Sequence, residues 1–321
     1  MTLLELQDLT TFYKIRRGYV RAAENISFSV NQGEAVGLAG ESGCGKTTLA
    51  LSVLRILPPG GIIMGGKILF DDVDILTLNE REMREKIRWK KMSLVFQGAM
   101  NALNPVYKVG DQIVEAITTH EADIDKSEAM ERTKKLLGTV GIEPSRVDNY
   151  PHEFSGGMKQ RSVIAMALAC NPKLLIADEP GTALDVIVQA QILKLLIRLR
   201  QELNLSMILI THDLSIIAET CQKVAIMYAG RLVEFGDAVT IFKEPVHPYT
   251  QGLMSAFPDI AGPRTRMKSI PGSPPDLLCP PIGCHFHPRC KYALDICRKE
   301  EPIFTCTKKN HYVACHLVQK S

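Results

Sequence analysis

Eight consecutive residues, Gly40-Glu41-Ser42-Gly43-Cys44-Gly45-Lys46-Thr47, place glycines at the first and sixth positions and end in a lysine and a hydroxyl. That order suits phosphate binding. Glycines let the backbone curl until successive N–H groups point inward as an anion nest. A helix starting there adds its positive end. Lys46 can then reach the β- and γ-phosphates of a nucleotide, and the Thr47 hydroxyl, with Thr48 beside it, can ligate Mg²⁺. Cys44 reads as a small filler inside the loop. Further on, the apolar run Leu174–Ala177 ends in Asp178 and Glu179. A carboxylate at the end of a strand can complete the Mg²⁺ shell, and a second one a residue later can polarise an attacking water. Together the two runs describe binding and hydrolysis of a nucleoside triphosphate such as ATP.

These groups need a scaffold, and the pattern supplies one. Ala35–Ala39 is a short apolar strand that runs into the glycine loop, and Thr47–Leu57 has helical spacing. Leu174–Ala177 and Met207–Ile210 are wholly apolar, as central strands covered on both faces are. Val186–Leu203, between them, has a broad apolar helical face. Leu3–Leu9, Ile26–Val30, Lys67–Phe70 and Met92–Phe96 read as further strands. A mostly helical stretch from Val109 to Ala169 is broken by Gly138, Gly141 and Pro144, and Val224–Tyr228 with Leu232–Phe235 predict a hairpin around Ala229-Gly230. Strands alternating with helices predict an α/β fold with parallel central strands. There is no internal repeat and no low-complexity tract.

The chain has 321 residues, 45% hydrophobic and 23% charged, which excludes a disordered, collagen-like or coiled-coil protein. Mean hydropathy is +0.02 and no run approaches the ~18 apolar residues of a membrane span. Glu5 and Asp8 stand where an export signal needs basic residues. A net charge of +3 is too small to argue for a nucleic-acid partner. Residues 258–321 differ from the rest: they hold six of the nine cysteines, nine of the 18 prolines and four of the eight histidines. Composition therefore places a boundary near Pro258. With no export signal, clustered cysteines favour a metal site over disulfides.

Three further motifs narrow the reading. Phe154-Ser155-Gly156-Gly157-Met158-Lys159-Gln160-Arg161 lies ahead of Asp178-Glu179, Gln97 ends the strand Ser93–Phe96, and His212 follows the strand Met207–Ile210. With Ala183-Leu184-Asp185, their order resembles the nucleotide-binding subunit of an ABC transporter. The resemblance implies an α/β P-loop NTPase cassette with a RecA-like core, an antiparallel β subdomain and a helical subdomain at about residues 100–165. The cassette would fill residues 1–257, with a small Cys-rich extension over 258–321. ATP would lie between Gly40, Ser42, Gly43, Cys44, Gly45, Lys46, Thr47 and Thr48 of one subunit and the signature loop Ser155, Gly156 and Gly157 of its partner. Tyr13 matches the aromatic that stacks on adenine, and Tyr19 is the weaker candidate. Thr47, Gln97 and Asp178 would hold Mg²⁺, Glu179 would be the general base, His212 would clamp the γ-phosphate, and Asp185 would link two sites. Two residues depart from the family pattern: Met158 replaces a glutamine, and Gly181 stands where serine or threonine is usual, which implies a looser turn before Asp185.

Narrower motifs are Gln97-Gly-Ala-Met-Asn-Ala-Leu-Asn104-Pro105, His247-Pro-Tyr-Thr-Gln-Gly-Leu253, Ile270-Pro-Gly-Ser-Pro-Pro275 and Gly283-Cys284-His-Phe-His-Pro-Arg-Cys290. They are similar to the dipeptide and oligopeptide importer branch, closest to its dipeptide-type subunit. That implies a peptide-import motor on the cytoplasmic face of the cell membrane, paired with a second ATP-binding subunit, in a heterodimer or a homodimer. Two membrane-spanning permease subunits would join it, with an external peptide-binding protein acting indirectly. The alternatives are the same motor for nickel, an opine or a sugar oligomer, a non-transport ABC ATPase, or a cluster-bearing sensor. Cys284, Cys290, Cys297 and Cys315, spaced C-x5-C, C-x6-C and C-x17-C, match the branch's four-cysteine pattern. Four thiolates can hold a 4Fe–4S cluster; zinc is the runner-up, and disulfides or free thiols are the third reading. Cys279 and Cys306 fall outside the pattern, and the flanking histidines are expected to hydrogen-bond rather than ligate.

Overall fold

The computed structural model describes residues 1–98, 101–255, 270–308 and 310–319. They form two units, each assembled from separated stretches of chain. The first comprises Val30–Ala35 and Asp74–Thr211 together with Met1; the second comprises Thr2–Ser29, Val36–Val73 and the described part of His212–Ser321. The boundary expected at Pro258 lies outside the described residues. No helix among the described residues is long and apolar enough to cross a membrane.

In the first unit the apolar runs become parallel strands. Met92–Val95 pairs with Leu174–Asp178, which pairs with Ser206–Ile210. Leu174, Leu175, Ile176 and Ala177 are fully buried, as strands covered on both faces must be. The helical stretch resolves into Val109–His120, Lys126–Thr139 and Gly156–Ala167, with Val186–Glu202 following. Side chains fix the starts of the last three. Asp125 accepts the N–H groups of Ser127 and Glu128 at 2.7 and 2.9 Å, and Asp185 accepts that of Val188 at 2.9 Å. A first break, at residues 121–125, was not expected; a later one falls at Gly141, whose φ of 76° is the left-handed stop that follows many helices. Gly138, by contrast, stays inside its helix.

The second unit holds the longest strands. Thr2–Ile15 pairs antiparallel with Gly61–Phe70, and Gly18–Asn31 flanks it on the other side. These strands outrun the expected apolar cores, because the hydrogen-bond ladder continues through polar Thr10 and Thr11 across two register shifts. Val36–Ala39 runs parallel to Lys223–Tyr228, which turns back as Arg231–Asp237. The hairpin turns on Ala229-Gly230 as expected, with φ of 45° and 78°. Two left-handed residues match the twist of the flanking strands.

Composition hid one element. The Cys-rich tail contributes a second hairpin, Phe304–Lys308 and His311–Ala314, and His311–Ala314 pairs antiparallel with Arg231–Asp237. Rich in proline as it is, the tail still contributes to the core: Val313 is fully buried and Phe286 is 3% exposed. Cross-strand rings reinforce the pairing: Phe304 stacks on Tyr312 at 5.8 Å, Tyr312 meets Phe235 at 6.4 Å, and Phe235 meets Phe28 at 5.7 Å. A strand added to an existing sheet gains its stability from backbone pairing, so a weak apolar run suffices.

Candidate nucleotide site

The glycine loop adopts the curl its residues anticipated. Gly40, Gly43 and Gly45 all have positive φ, at 149°, 79° and 105°. At Gly45 the need for glycine is also steric, since a Cβ would stand 1.9 Å from the Ala22 carbonyl oxygen. Ser42, Gly43 and Thr47 are exposed, whereas Cys44 and Lys46 are buried. Burial pushes the Cys44 thiol up, with Lys46 opposing the shift, so Cys44 fills space beneath the loop. The Lys46 ammonium donates to the carbonyls of Gly40 and Glu41 at 2.8 and 3.0 Å. It thus waits inside its own loop. Tyr13 is half-buried beside the helix Lys46–Val53 and its hydroxyl accepts from Thr48 at 3.4 Å. Tyr19 is 42% exposed and its ring lies 6.4 Å from that of Phe12.

In the first unit, Gln97 and Glu179 leave the same ends of adjacent parallel strands, each two residues beyond the Val95–Ala177 pair. The Gln97 amide donates to Glu179 Oε2 at 2.8 Å, and the Thr182 hydroxyl donates to the same oxygen at 2.9 Å. Asp178 is buried at its strand end. Glu179 has φ 45°, a left-handed conformation that costs a residue with a Cβ about 1 kcal/mol or more. Its N–H donates to the Ile210 carbonyl at 2.8 Å, which helps hold that turn. Ser155 is exposed and caps Gly156–Ala167, its Oγ accepting from the Met158 N–H at 3.3 Å. A Cβ at Gly157 would stand 2.7 Å from Val188 Cγ1, so glycine permits the close approach of the helix after Asp185. Gly181 has a similar cause: the Gln189 side chain lies 2.5 Å from where a Cβ would be. That turn is therefore filled rather than loose, which corrects the expectation drawn from Gly181. His212 is exposed at the start of the second unit's last stretch, just before Asp213, which caps Leu214–Thr220.

The four pattern cysteines are neighbours in the second unit. The Cys284 N–H donates to the Cys297 carbonyl at 2.9 Å. Burial, and then the charges of the other three cysteines, push the Cys284 thiol up to about 12, while a backbone N–H from Phe286 opposes the shift. Burial likewise raises Cys315 to about 11 and Cys290 above its usual value, with N–H groups of Leu317 and Tyr292 opposing. Sulfurs that receive N–H donors and repel one another as thiolates are a soft donor set suited to a metal or cluster. The expected ligand cage is nevertheless not formed: among the described residues, no three His, Cys, Asp or Glu side chains stand close enough to hold a metal ion. The histidines hydrogen-bond as expected. His285 and His287 pair through Nδ1 with the carbonyls of Ala229 and Cys284, and His311 and His316 pair through Nε2 with Glu234 and the Glu300 carbonyl. Cys279 and Cys306 are exposed.

Sequence reasoning missed three residues near the loop. Tyr249 accepts the Glu41 N–H at 2.9 Å, Arg289 forms an ion pair with the Glu41 carboxylate, and His247 accepts the Tyr249 N–H through Nδ1 at 3.0 Å. Burial lowers the His247 pKa to about 4, so it is neutral and able to accept. His247 and Tyr249 lie in a quoted motif, but nothing in its pattern points at the glycine loop.

Two family profiles match the chain. One describes the ABC transporter and covers residues 23–182; the other describes the oligopeptide/dipeptide transporter C-terminal region and covers residues 233–297. The chain is 46% identical over 318 residues to the dipeptide transport ATP-binding protein DppD of Escherichia coli (strain K12), across 98% of this chain and 97% of that protein. It is 46% identical over 303 residues to the oligopeptide transport ATP-binding protein OppD of Salmonella typhimurium, across 94% and 90%. Among solved structures, the dimeric post-hydrolysis state of the ATP-binding cassette MJ0796 with ADP and Pi aligns with a TM-score of 0.65 at 26% identity, over 74% of this chain and 99% of that one.

Proposed function

This chain belongs to the ABC transporters, as an ATP-binding subunit of their dipeptide and oligopeptide branch, and from that membership we propose that it is the ATP-hydrolysing motor of a peptide importer. The observation that carries the reading is the 2.8 Å hydrogen bond from Gln97 to Glu179. It ties the one residue suited to sensing the γ-phosphate to the one suited to activating water.

The N–H groups of the loop bind the triphosphate, and Lys46 moves from the Gly40 and Glu41 carbonyls onto the β- and γ-phosphates. Thr47, Gln97 and Asp178 would hold Mg²⁺, which supplies neutralisation of charge on the phosphates. As Gln97 turns away, Glu179 accepts a proton from the attacking water. The water oxygen bonds to the γ-phosphorus, the bond to the bridging oxygen breaks, and ADP and phosphate leave. His212 holds the γ-phosphate, and Tyr13 meets the adenine. Ser155, Gly156 and Gly157 donate N–H groups to ATP held by a partner subunit, because a migrating γ-phosphoryl needs donors on several sides.

The exposed apolar residues Val186 and Ile187, at 81% and 72%, follow Asp185 directly and support a second ATP-binding subunit there, in a heterodimer or a homodimer. Phe96, just before Gln97, and Val106 and Tyr107, about ten residues further along the chain, are exposed and support contact with two membrane-spanning permease subunits; the chain would then sit peripherally at the cytoplasmic face of the membrane. An external binding protein delivers peptide to the permeases. Reconstituted in vesicles with these partners, ATP turnover should rise with added peptide, while the isolated chain turns over slowly for want of an opposing signature loop. Turnover that ignores peptides and answers to nickel, an opine or a sugar oligomer would overturn the peptide assignment.

In functional terms residues 1–257 form the motor and residues 258–321 a stapled appendage. Cys284, Cys290, Cys297 and Cys315 would hold a 4Fe–4S cluster, with zinc as the runner-up. The gathered thiols and their N–H donors support this, and a cross-link would brace a tail rich in proline. Cys290→Ser should lose iron and open the tail to protease; an intact, iron-free tail would count against the cluster.

A further inference from the structure

Glu41, the second residue of the phosphate loop, is gripped from the tail. Arg289 lies between Cys284 and Cys290, and its side chain is 6% exposed. Its Nη1 donates to Glu41 Oε2 at 2.6 Å and its Nη2 to Oε1 at 2.9 Å. The guanidinium is fixed in turn: Nε donates to the Pro271 carbonyl at 2.8 Å, Nη1 also reaches the Tyr228 hydroxyl at 3.3 Å, and the group lies over the Tyr228 ring at 5.6 Å. The rest of Glu41 is held as well. Its N–H donates to Tyr249, and its carbonyl accepts from Lys46. Tyr228, Tyr249 and Phe286 pack together with ring centroids 4.6 to 5.4 Å apart and help bury the guanidinium side of the pair, which strengthens it, while the Glu41 side chain stays 25% exposed.

The chemistry poses a problem that this arrangement answers. The loop must attract a triphosphate, yet it carries a carboxylate at its second position. A negative charge there repels the ligand unless a cation neutralises it. A bidentate guanidinium supplies that cation and also fixes the direction of the carboxylate, which a single ammonium contact does not.

We propose that Arg289 is a positioning residue for ATP binding: acting through Glu41, it neutralises the carboxylate at the turn from which the phosphate loop rises, so that the cysteine-bearing tail sets the loop's affinity for ATP. The inference rests on the nucleotide reading above. It is tested by ATP titration of the full-length chain, with melting temperature and iron content recorded for every variant. Arg289→Ala should weaken ATP binding by about tenfold, the usual scale for a charge-assisted contact, and should raise KM more than it lowers kcat. Arg289→Lys should recover part of the loss. Glu41→Gln alone should bind ATP at least as tightly as the parent, because the repelling charge is gone, and should restore most of the affinity in the Arg289→Ala background. A purely structural clamp gives the opposite pattern, with Glu41→Gln as damaging as Arg289→Ala and no rescue. That pattern, or unchanged affinity in Arg289→Ala, overturns the proposal. If Arg289→Ala does not fold, Glu41→Gln alone decides, since a tenfold loss there is equally fatal. If the unaltered chain binds no ATP, the nucleotide reading itself fails.

Discussion

Glu179→Gln should bind ATP with near-normal affinity while hydrolysis falls by about 10²–10⁴-fold, the range that a positioned general base contributes. The substitution is nearly isosteric. The new amide oxygen can still accept from Gln97 and Thr182, which now share Oε2 at 2.8 and 2.9 Å. The φ of 45° at this position is no harder for glutamine than for glutamate, so the strand end keeps its shape. What disappears is the ability to take a proton from water. With ATP bound but not cleaved, the subunit and its partner should remain closed on each other. Phosphate release and size-exclusion chromatography of the reconstituted pair, with and without ATP, measure both effects. Hydrolysis within a few-fold of the parent would remove Glu179 from the role of base and direct attention to His212.

Lys46→Ala should lower ATP affinity by about 10–100-fold, from the loss of a charge-assisted contact to a highly charged ligand. A second loss adds to the first. The ammonium also bonds the carbonyls of Gly40 and Glu41, so its removal leaves the empty loop without its internal tie. The loop then pays an ordering cost whenever nucleotide binds. Calorimetric titration with a non-hydrolysed ATP analogue reads the change. An affinity within about threefold of the parent, well under the expected loss, would show that the loop N–H groups alone carry binding.

Much of this site was legible because its signals are local. Gly40, Gly45, Lys46 and Thr47 lie within one turn of chain, and the strand before them and the helix after them are short and strongly patterned. Leu174–Asp178 and the hairpin at Ala229-Gly230 were readable for the same reason: burial on both faces leaves an unbroken apolar run, and a two-residue turn leaves its own signature. What stayed hidden depends on distant partners. Nothing in the residues around Glu41 points to its partner Arg289, far along the chain. Gly157 and Gly181 read as loop glycines, while their real neighbours are Val188 and Gln189 across a helix start. The strand His311–Ala314 is short and half polar, and only the waiting Arg231–Asp237 makes it a strand. The metal reading shows the opposite limit. Spacing brought four cysteines to notice, and folding gathers them, but spacing does not say whether their sulfurs converge to ligating distance, which among the described residues they do not.

The tail hairpin has a consequence for how the chain is made. Arg231–Asp237, with Leu232, Val233 and Phe235 buried, would be an open sheet margin until His311–Ala314 emerges much later in synthesis. An uncovered margin invites pairing with other nascent chains. The strand that finally seals it is capped by the five-residue Phe304–Lys308, with Pro302 just ahead, a short terminus that offers little to a further strand. In the growing polypeptide His311–Ala314 would thus cover the margin left by Arg231–Asp237, and its removal should be felt as aggregation before it is felt as lost turnover.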